Sequence, residues 1–240
     1  MVVNKMKISS EFSRYAIHYG SNNIIQNRVV KKLLQKVTYK PRYILDLGCG
    51  SGALCKNIDW NYEHFCGVDF ASGMLELHPN SNNIEIFHGD FNDETTFEVL
   101  LKNKYDSIFS ASAMQWAENL ENVFKNVNRF NAPVALAIFT SNTFKTLNEK
   151  ALLKPLLRTA NEVYELQKKY FDADFEIVEY RLEFESIREM FKYIKQSGVS
   201  GSRGLLNYKQ MKKLMNEYPL NYLEFEVVFI TSKITSFSRV

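Results

Sequence analysis

Three glycines at alternate positions follow a short apolar run in the stretch ILDLGCGSGA, Ile44 to Ala53. Glycine has no Cβ, so it permits close approach of a ligand and adopts the positive φ angles of tight turns. A strand that leads into such a loop and then into a helix places backbone N–H groups at the carboxyl edge of an open α/β sheet, where small molecules bind. We therefore expect Gly48, Cys49, Gly50 and Gly52 to contact a ligand.

A carboxylate at a fixed distance after this loop narrows the class of ligand. Asp69 ends a predicted second strand 21 residues after Gly48, which is close to the spacing at which an acid accepts hydrogen bonds from a ribose. Gly48, Gly50 and Ala53 also satisfy the Gly-x-Gly-x-x-Gly/Ala fingerprint of dinucleotide-binding loops. These residues indicate an adenosine-type ligand and leave a nicotinamide or flavin cofactor open.

The elements that position these residues alternate between strand and helix. Runs rich in Ile, Val, Phe and Tyr are separated by segments whose apolar residues recur at helical spacing. The runs are YILDL (43–47), HFCGVD (64–69), IEIFHG (84–89), YDSIFS (105–110), PVALAIF (133–139), FEIVEYRLEF (175–184) and LEFEVVFI (223–230). Strands that are apolar throughout are typical of a parallel sheet buried on both faces. The pattern predicts an α/β fold with a Rossmann-like, doubly wound, seven-stranded and mostly parallel sheet.

The flanking segments are predominantly helical. Two helices are expected before the first strand, with a break near 20–23, and residues 146–170 are expected to be mostly helical. Two more helical segments, separated by a Gly/Ser-rich break, precede the last strand. We predict a single domain over 1–240. It comprises an N-terminal helical cover (1–40), a cofactor-binding core (41–140) and a helical insertion (185–220) that covers the active site and faces the substrate or partner.

The composition is that of one globular domain. The chain has 240 residues, of which 45% are apolar and 24% charged, and disorder is not expected. No apolar run approaches the roughly 20 residues of a membrane helix, and the first residues lack the apolar stretch of a secretory signal. The cysteines are odd in number and lie in segments expected to be buried: Cys49, Cys55 and Cys66. We expect a cytoplasmic monomer with no membrane partner.

Four patterns taken together resemble the class I S-adenosylmethionine-dependent methyltransferases: LDLGCGSG (45–52), GVDFASGML (67–75), GDF (89–91) and SIFSAS (107–112). The resemblance implies that the glycine loop lies against the methionine part of the cofactor, that Asp69 holds the ribose hydroxyls and that Gly89 and Asp90 contact the adenine amino group. Further implied contacts are Phe70, Met74, Phe91, Ser110 and Ala111. Asp46 fits this ligand, because a carboxylate favours a cationic sulfonium and ammonium and repels a pyrophosphate.

Further segments resemble a narrower family, the malonyl-[acyl-carrier-protein] O-methyltransferases of biotin synthesis. They are FSRYAIHY (12–19), SAMQWAENL (112–120) and the basic stretch after Ser186, and the likeness runs from about Phe12 to Ile234. It implies methylation of the free carboxylate of malonyl-acyl carrier protein, an early step of biotin synthesis, with S-adenosylhomocysteine as the other product. Tyr19 is expected to orient the cofactor or the acceptor carboxylate, and Gln115 and Trp116 are expected at the acceptor.

The sequence contains no motif of acid–base or metal catalysis. His-x-x-x-His, Cys-x-x-Cys and Gly-x-Ser-x-Gly are all absent, and the histidines are scattered. No metal site is therefore expected. A malonyl carboxylate is already an anion at pH 7, so its methylation needs placement, desolvation and exclusion of water rather than a general base. The absence of such machinery fits carboxyl methylation, and it also fits a pure binding protein.

Basic residues are concentrated late in the chain. Seven bases and one acid lie between Ser186 and Lys213, against a net charge of +3 for the whole sequence. Such a cluster suits an acidic carrier protein, and we expect Arg188, Lys192, Lys195 and Arg203 to face the partner. Lys195 or Arg203 is the alternative candidate for neutralising the malonyl carboxylate. Nucleic acid is disfavoured, because the pI of 8.6 is below about 9 and no aromatic-basic stacking motif occurs.

Three other functions remain open from the sequence. The nearest is another class I methyltransferase that acts on a small carboxylate or a hydroxyl. The second is a nicotinamide enzyme, and the third is a protein that binds the cofactor without catalysis. The thioester carrier, acyl carrier protein or coenzyme A, is also open.

Overall fold

A computed structural model describes residues 23–196 and 208–233. One seven-stranded sheet crosses the molecule in the order β3-β2-β1-β4-β5-β7-β6. The strands are β1 (Tyr43–Leu47), β2 (His64–Asp69), β3 (Ile84–His88), β4 (Ser107–Ala111), β5 (Val134–Phe139), β6 (Ala173–Glu183) and β7 (Tyr222–Ser232). Neighbours from β3 to β5 are parallel, and β7 pairs antiparallel with both β5 and β6. The predicted seven-stranded, mostly parallel sheet is confirmed.

Helices lie on both faces of this sheet. They are α1 (Ile24–Lys36), α2 (Ala53–Asn57), α3 (Ser72–Leu75), α4 (Glu94–Leu100), α5 (Leu120–Asn128), α6 (Lys145–Lys150), α7 (Ala160–Gln167), α8 (Ile187–Gln196) and α9 (Tyr208–Glu217), with a 3-10 turn at Met114–Trp116. Because successive strand residues point to opposite faces, Ile44 belongs to one apolar layer with α1, and Leu45 belongs to the other with α5. Both residues are fully buried, as the apolar run around them predicted.

The helix α1 closes one end of the first layer. Its residues Ile25, Val29, Val30 and Leu33 are at most 2% exposed and recur at the spacing of one helical face. This face packs against α2 and against the strands β4, β5 and β7. The helix predicted after the break near 20–23 is therefore present, and its amino end is placed beside the carboxyl ends of the central strands. The helix predicted before the break lies outside the described residues.

The stretch 146–170 is less helical than expected. Helices α6 and α7 are present, but 151–159 contains neither helix nor strand. Pro155 cannot donate a helical N–H bond, and Leu152 has a φ of +52°, which ends α6. The next helix starts at a capping box, in which Thr159 Oγ1 accepts from Glu162 N–H at 3.1 Å and Glu162 Oε2 accepts from Thr159 N–H at 2.7 Å.

The last two strands place α8 and α9 beside the carboxyl edge of the sheet. In the antiparallel register Phe139, the last residue of β5, pairs with Val227, and Glu183 pairs with Tyr222. Tyr222 precedes Val227 by five residues, so β6 and β7 both extend five residues past the end of β5. The segment that joins them therefore lies at the edge where the parallel strands end. Within the described ranges, no helix is long and apolar enough to cross a membrane.

Candidate active site

An open cavity, whose space together with the adjoining open solvent is about 680 Å³, lies at the carboxyl edge of the central strands. It brings together nine of the residues predicted for the site: Gly48, Cys49, Gly50, Asp69, Phe70, Met74, Phe91, Ala111 and Trp116. Seven more lining residues had not been predicted as site residues: Asn23, Gln26, Val30, Ser51, Ala53, Ser112 and Ala113. The walls come from the loops after β1, β2, β3 and β4 and from α1, so the fold assembles the site that the strand ends indicated.

The glycine loop is held in a left-handed backbone conformation. Gly48, Gly50 and Gly52 have φ angles of +78°, +52° and +80°, which other residues adopt only at a cost. A Cβ on Gly48 would lie 2.2 Å from the Cβ of Ala113, and one on Gly52 would lie 2.5 Å from Cδ of Pro79. The need for glycine at these two positions thus comes from the close packing of the protein itself as well as from φ.

The backbone N–H groups of this loop bond within the protein. Gly48 N–H and Cys49 N–H both donate to the carbonyl of Val68, at 2.7 and 3.0 Å, and Gly50 N–H donates to Asp69 Oδ2 at 2.8 Å. The expectation that a row of free N–H groups faces the ligand is therefore wrong for these residues. The Val68 carbonyl on the neighbouring strand β2 accepts from two of these N–H groups and the Asp69 carboxylate accepts from the third, so these three groups are not available to bind a phosphate.

Asp46 lies beneath the loop and is 2% exposed. Its Oδ1 has no hydrogen-bond partner among the described residues. Burial, and then the charge of Asp69, raise the pKa of Asp46 to about 8. Asp46 is not among the residues that line the cavity, so it would favour a cationic ligand there through its charge rather than by direct contact.

Asp69 closes β2 and connects two loops. Its Oδ1 accepts from Ala71 N–H at 2.8 Å, while its Oδ2 holds Gly50. Burial raises its pKa and these backbone hydrogen bonds oppose the rise. Each carboxyl oxygen can accept a second hydrogen bond, and the residue lines the cavity. The side chain is thus fixed in place by the backbone and keeps acceptor capacity for a hydroxyl-bearing ligand.

Of the predicted site residues that follow β3, one lines the cavity and two lie in the turn behind it. Phe91 lines the cavity, whereas Gly89 and Asp90 are outside its lining. Asp90 is 8% exposed, and its Oδ1 accepts from the backbone N–H of Asn92 at 2.8 Å and from Nδ2 of the same residue at 2.9 Å. A Cβ on Gly89 would lie 2.6 Å from the ring of Phe87. Both residues shape the turn that presents Phe91.

The loop after β4 forms the opposite wall. Trp116 lines the cavity, and the adjacent Gln115 is 9% exposed. Its Nε2 donates to the carbonyl of Ser112 at 2.6 Å, and its Oε1 has no partner in the part of the chain that the structure describes. Ser110 Oγ donates to the carbonyl of Leu47 at 2.7 Å, so its hydroxyl ties β4 to β1 and is turned from the cavity. Ala111 lines the cavity.

The unpredicted lining residues had weak signals in the sequence. Gln26 lies on the first turn of α1, within the part of the chain over which the family resemblance runs, and its buried Oε1 has no partner among the described residues. Ser112 has a φ of +63°, a strain that no sequence pattern announces, and its side-chain oxygen is likewise buried without a partner. Ala113 is identified only by its packing on Gly48.

The remaining predicted residues lie away from this cavity or outside the described chain. Tyr19 and Arg203 lie outside the described residues. Arg188 and Lys192 are exposed on α8, and Lys195 lies near the end of the same helix. The three cysteines are free and buried, and burial raises the pKa of each thiol, so these thiols are protonated at neutral pH.

Comparison with known sequences gives a consistent family. A sequence-family model described as a methyltransferase domain matches residues 44–133. The malonyl-[acyl-carrier protein] O-methyltransferase of Brevibacillus brevis is 27% identical over 95% of this chain and 96% of that protein. The corresponding enzyme of Legionella pneumophila is 24% identical over 95% and 90%. The match to the Bacillus cereus enzyme is shorter, at 26% identity over 62% of this chain and 57% of the relative.

Solved structures show the same fold at low identity. An S-adenosylmethionine-dependent methyltransferase of Thermotoga maritima superposes with a TM-score of 0.57 at 14% identity, over 94% of this chain and 100% of that one. The plantazolicin methyltransferase, crystallised with S-adenosylhomocysteine, gives 0.51 at 16% identity over 95% and 91%. The methyltransferase-domain match, the sequence relatives and the strand order thus make the chain an S-adenosylmethionine-dependent methyltransferase with the class I fold, similar in sequence to the malonyl-[acyl-carrier protein] O-methyltransferases.

Proposed function

We propose that this enzyme transfers the methyl group of S-adenosylmethionine to the free carboxylate of a malonyl thioester, malonyl-acyl carrier protein, early in biotin synthesis. The observation that carries the proposal is the chemistry of the cavity wall. Its titratable side chains are Cys49, whose pKa is raised by burial, and Asp69, whose oxygens already bond the backbone. The described wall thus offers no free general base, and an acceptor that arrives as a carboxylate needs none.

The cofactor is proposed to lie along the loops after β1 to β4. S-adenosylmethionine supplies an electrophilic methyl group on a sulfonium. Asp46 would offset the positive charge, Asp69 would accept hydrogen bonds from the ribose, and Asp90 would contact the adenine amino group. The remaining proposed contacts are Tyr19, Gly48, Cys49, Gly50, Gly52, Phe70, Met74, Gly89, Phe91, Ser110 and Ala111, to which the cavity adds Gln26.

Placement and desolvation would supply the catalysis. Trp116 is an apolar wall on the side of the methyl acceptor. In the neighbouring Gln115, Oε1 has no hydrogen-bond partner among the described residues, and one amide N–H is not used by the Ser112 carbonyl. A carboxylate that loses its water shell in such a site is a better nucleophile, and its orientation toward the methyl group replaces a bimolecular encounter. We propose Gln115 and Trp116, with Tyr19, as the residues that orient the acceptor.

The proposed partner is an acyl carrier protein. Arg188 and Lys192 are exposed on α8, at the same edge as the cavity, and Lys195 and Arg203 belong to the same basic stretch of sequence. Positive charge near the entrance raises the encounter rate with an acidic carrier. Methylation would mask the malonyl charge, which is costly to bury unpaired in the apolar pockets that extend an acyl chain.

The test is transfer of labelled methyl groups to a panel of acceptors. Malonyl-acyl carrier protein and malonyl-coenzyme A are compared with succinyl thioesters, free malonate and simple hydroxyl compounds. We expect the malonyl thioesters to be methylated at least about tenfold faster, in kcat/KM, than the others. A preference for free acids or hydroxyl compounds would contradict the proposed substrate and support another class I methyltransferase activity.

A further inference from the structure

A closed surface loop over 141–158, between β5 and α7, exposes an unusual leucine. Leu152 is 92% exposed, the largest value among the exposed apolar side chains of the described residues, and its φ is +52°. A leucine in the left-handed region is strained, and such strain persists where the surroundings impose it, often at functional sites. Leu152 is thus an apolar side chain that a strained backbone holds in contact with water.

The loop is a fixed frame for this residue. Its ends meet where Ser141 N–H donates to the carbonyl of Arg158 at 2.8 Å. Near the tip, Leu153 N–H donates to the carbonyl of Asn148 at 2.8 Å. Thr146 N–H donates to Glu224 Oε2 on β7 at 3.2 Å, which anchors α6. Leu152 is therefore presented by an ordered turn.

The same loop borders the acceptor wall of the cavity. Arg158 Nη2 donates to the carbonyl of Ala117 at 2.8 Å and to that of Glu118 at 3.2 Å. These two residues follow Trp116 directly. A molecule that rests on the loop is thus next to the wall at which the proposed acceptor enters.

The loop that carries Leu152 is predominantly positive. The 141–158 loop contains four bases and one acid, Glu149. Lys145, Lys150 and Lys154 are exposed, and no ion pair joins any of them to another described residue. An exposed apolar side chain on a loop that also carries exposed ammonium groups matches a partner surface that combines an apolar spot with carboxylates.

We propose that the 141–158 loop is a docking surface for the acidic carrier protein, with Leu152 as its apolar contact and Lys150 and Lys154 as its charged contacts. The inference rests on the proposed function, because the thioester must be delivered by a protein. It adds a contact surface outside the basic stretch 186–213 that the sequence indicated. Docking here places the carrier next to the wall that holds Trp116.

The test uses two loop variants that leave the cavity unchanged. Leu152→Asn removes the apolar side chain, and asparagine tolerates the left-handed region, so its melting temperature is expected to equal or exceed that of the wild type. The double variant Lys150→Glu/Lys154→Glu reverses the charge. We expect each to weaken binding of the unacylated holo-carrier protein about tenfold, and to raise KM for malonyl-acyl carrier protein equally, with KM for malonyl-coenzyme A unchanged.

Two matched variants serve as controls. Lys104→Glu reverses an exposed lysine in the loop that enters β4 at the opposite edge, and Ile177→Asn removes an apolar side chain that is 50% exposed on β6. Neither should change carrier binding. Unchanged carrier affinity in both loop variants, or loop variants that lose binding only to anionic lipid vesicles, overturns the docking surface. A wild type that binds the carrier through this loop and methylates no malonyl thioester supports the docking surface and refutes the proposed function.

Discussion

At the scale of single residues, the buried carboxyl of Asp46 lowers the free energy of unfolding of the ligand-free protein, and a bound cation would reduce this loss. Its pKa is about 8 in the fold and about 3.9 in an unfolded chain. Between these values the folded state holds a proton that the unfolded state has released, so stability falls as pH rises across this window. Ligand binding would act in the opposite sense, because a nearby cation favours the ionised carboxylate.

The substitution Asp46→Asn separates the two effects. We expect it to raise the melting temperature by about 3 °C or more at pH 8, by less at pH 5 and by almost nothing near pH 4, because only the wild type must keep protonated a carboxyl that the unfolded chain ionises. Binding of S-adenosylmethionine should weaken at least about tenfold. Calorimetric titration of the wild type at pH 7 in two buffers of different ionisation enthalpy should detect release of a proton. Equal binding without proton release would contradict this role.

At the scale of elements, the sequence was most informative where burial alone decides the structure. The strands β1 and β2 have the predicted bounds, because each is an apolar run buried on both faces. The stretch 146–170 was predicted to be mostly helical, but 151–159 is not, because Pro155 and the tertiary anchor of Arg158 prevent a continuous helix. The glycine loop shows the same limit. Its glycines have the positive φ angles that were expected of a tight turn. The Val68 carbonyl that accepts from two of its N–H groups belongs to another strand, however, and the spacing of residues along the chain does not indicate this contact.

Arg158 links the loops after β4 and β5, and we predict that it is a positioning residue for the acceptor wall. In Arg158→Met the carbonyls of Ala117 and Glu118 lose their donor, so Trp116 is less well fixed. We expect kcat to fall at least about tenfold, while the Kd for S-adenosylmethionine changes less than about twofold, because the cofactor side is untouched. Arg158→Lys should restore part of kcat, since one N–H donor can still reach a carbonyl.

The control for this prediction is Arg129→Met. Arg129 donates from Nη1 to Asn126 Oδ1 at 3.0 Å at the far end of α5, and its loss should leave kcat unchanged. A parallel loss of cofactor affinity and melting temperature in Arg158→Met, without recovery by lysine, would indicate a merely structural residue. Thermal melting and cofactor titration are therefore measured together with steady-state kinetics.

At the scale of the whole molecule, sheet topology determines which surfaces act together. The loops after β1, β2, β3 and β4 build the cavity, and the segments after β5 and β6 lie beside it, because all of these strands end at one edge. The antiparallel β7 returns the chain from α9 into the sheet between β5 and β6. One edge thus combines Asp69 in the cavity wall and the buried Asp46 near it with the basic surfaces of the 141–158 loop and α8. This arrangement suits a cationic cofactor inside and an acidic partner outside.

This separation of charge predicts how the whole fold responds to ligands. S-adenosylhomocysteine retains the ammonium and the ribose of the cofactor, so at a concentration of about 100 Kd it should stabilise the protein by about 2.7 kcal/mol, or roughly 5–10 °C in melting temperature. The dinucleotide NAD carries a pyrophosphate, which the engaged N–H groups of Gly48, Cys49 and Gly50 cannot cradle and the buried acids repel, so we expect a shift below about 1 °C. Melting curves with each ligand decide the matter. A larger shift with NAD would mean that the glycine loop serves a dinucleotide and that the assignment of its ligand is wrong.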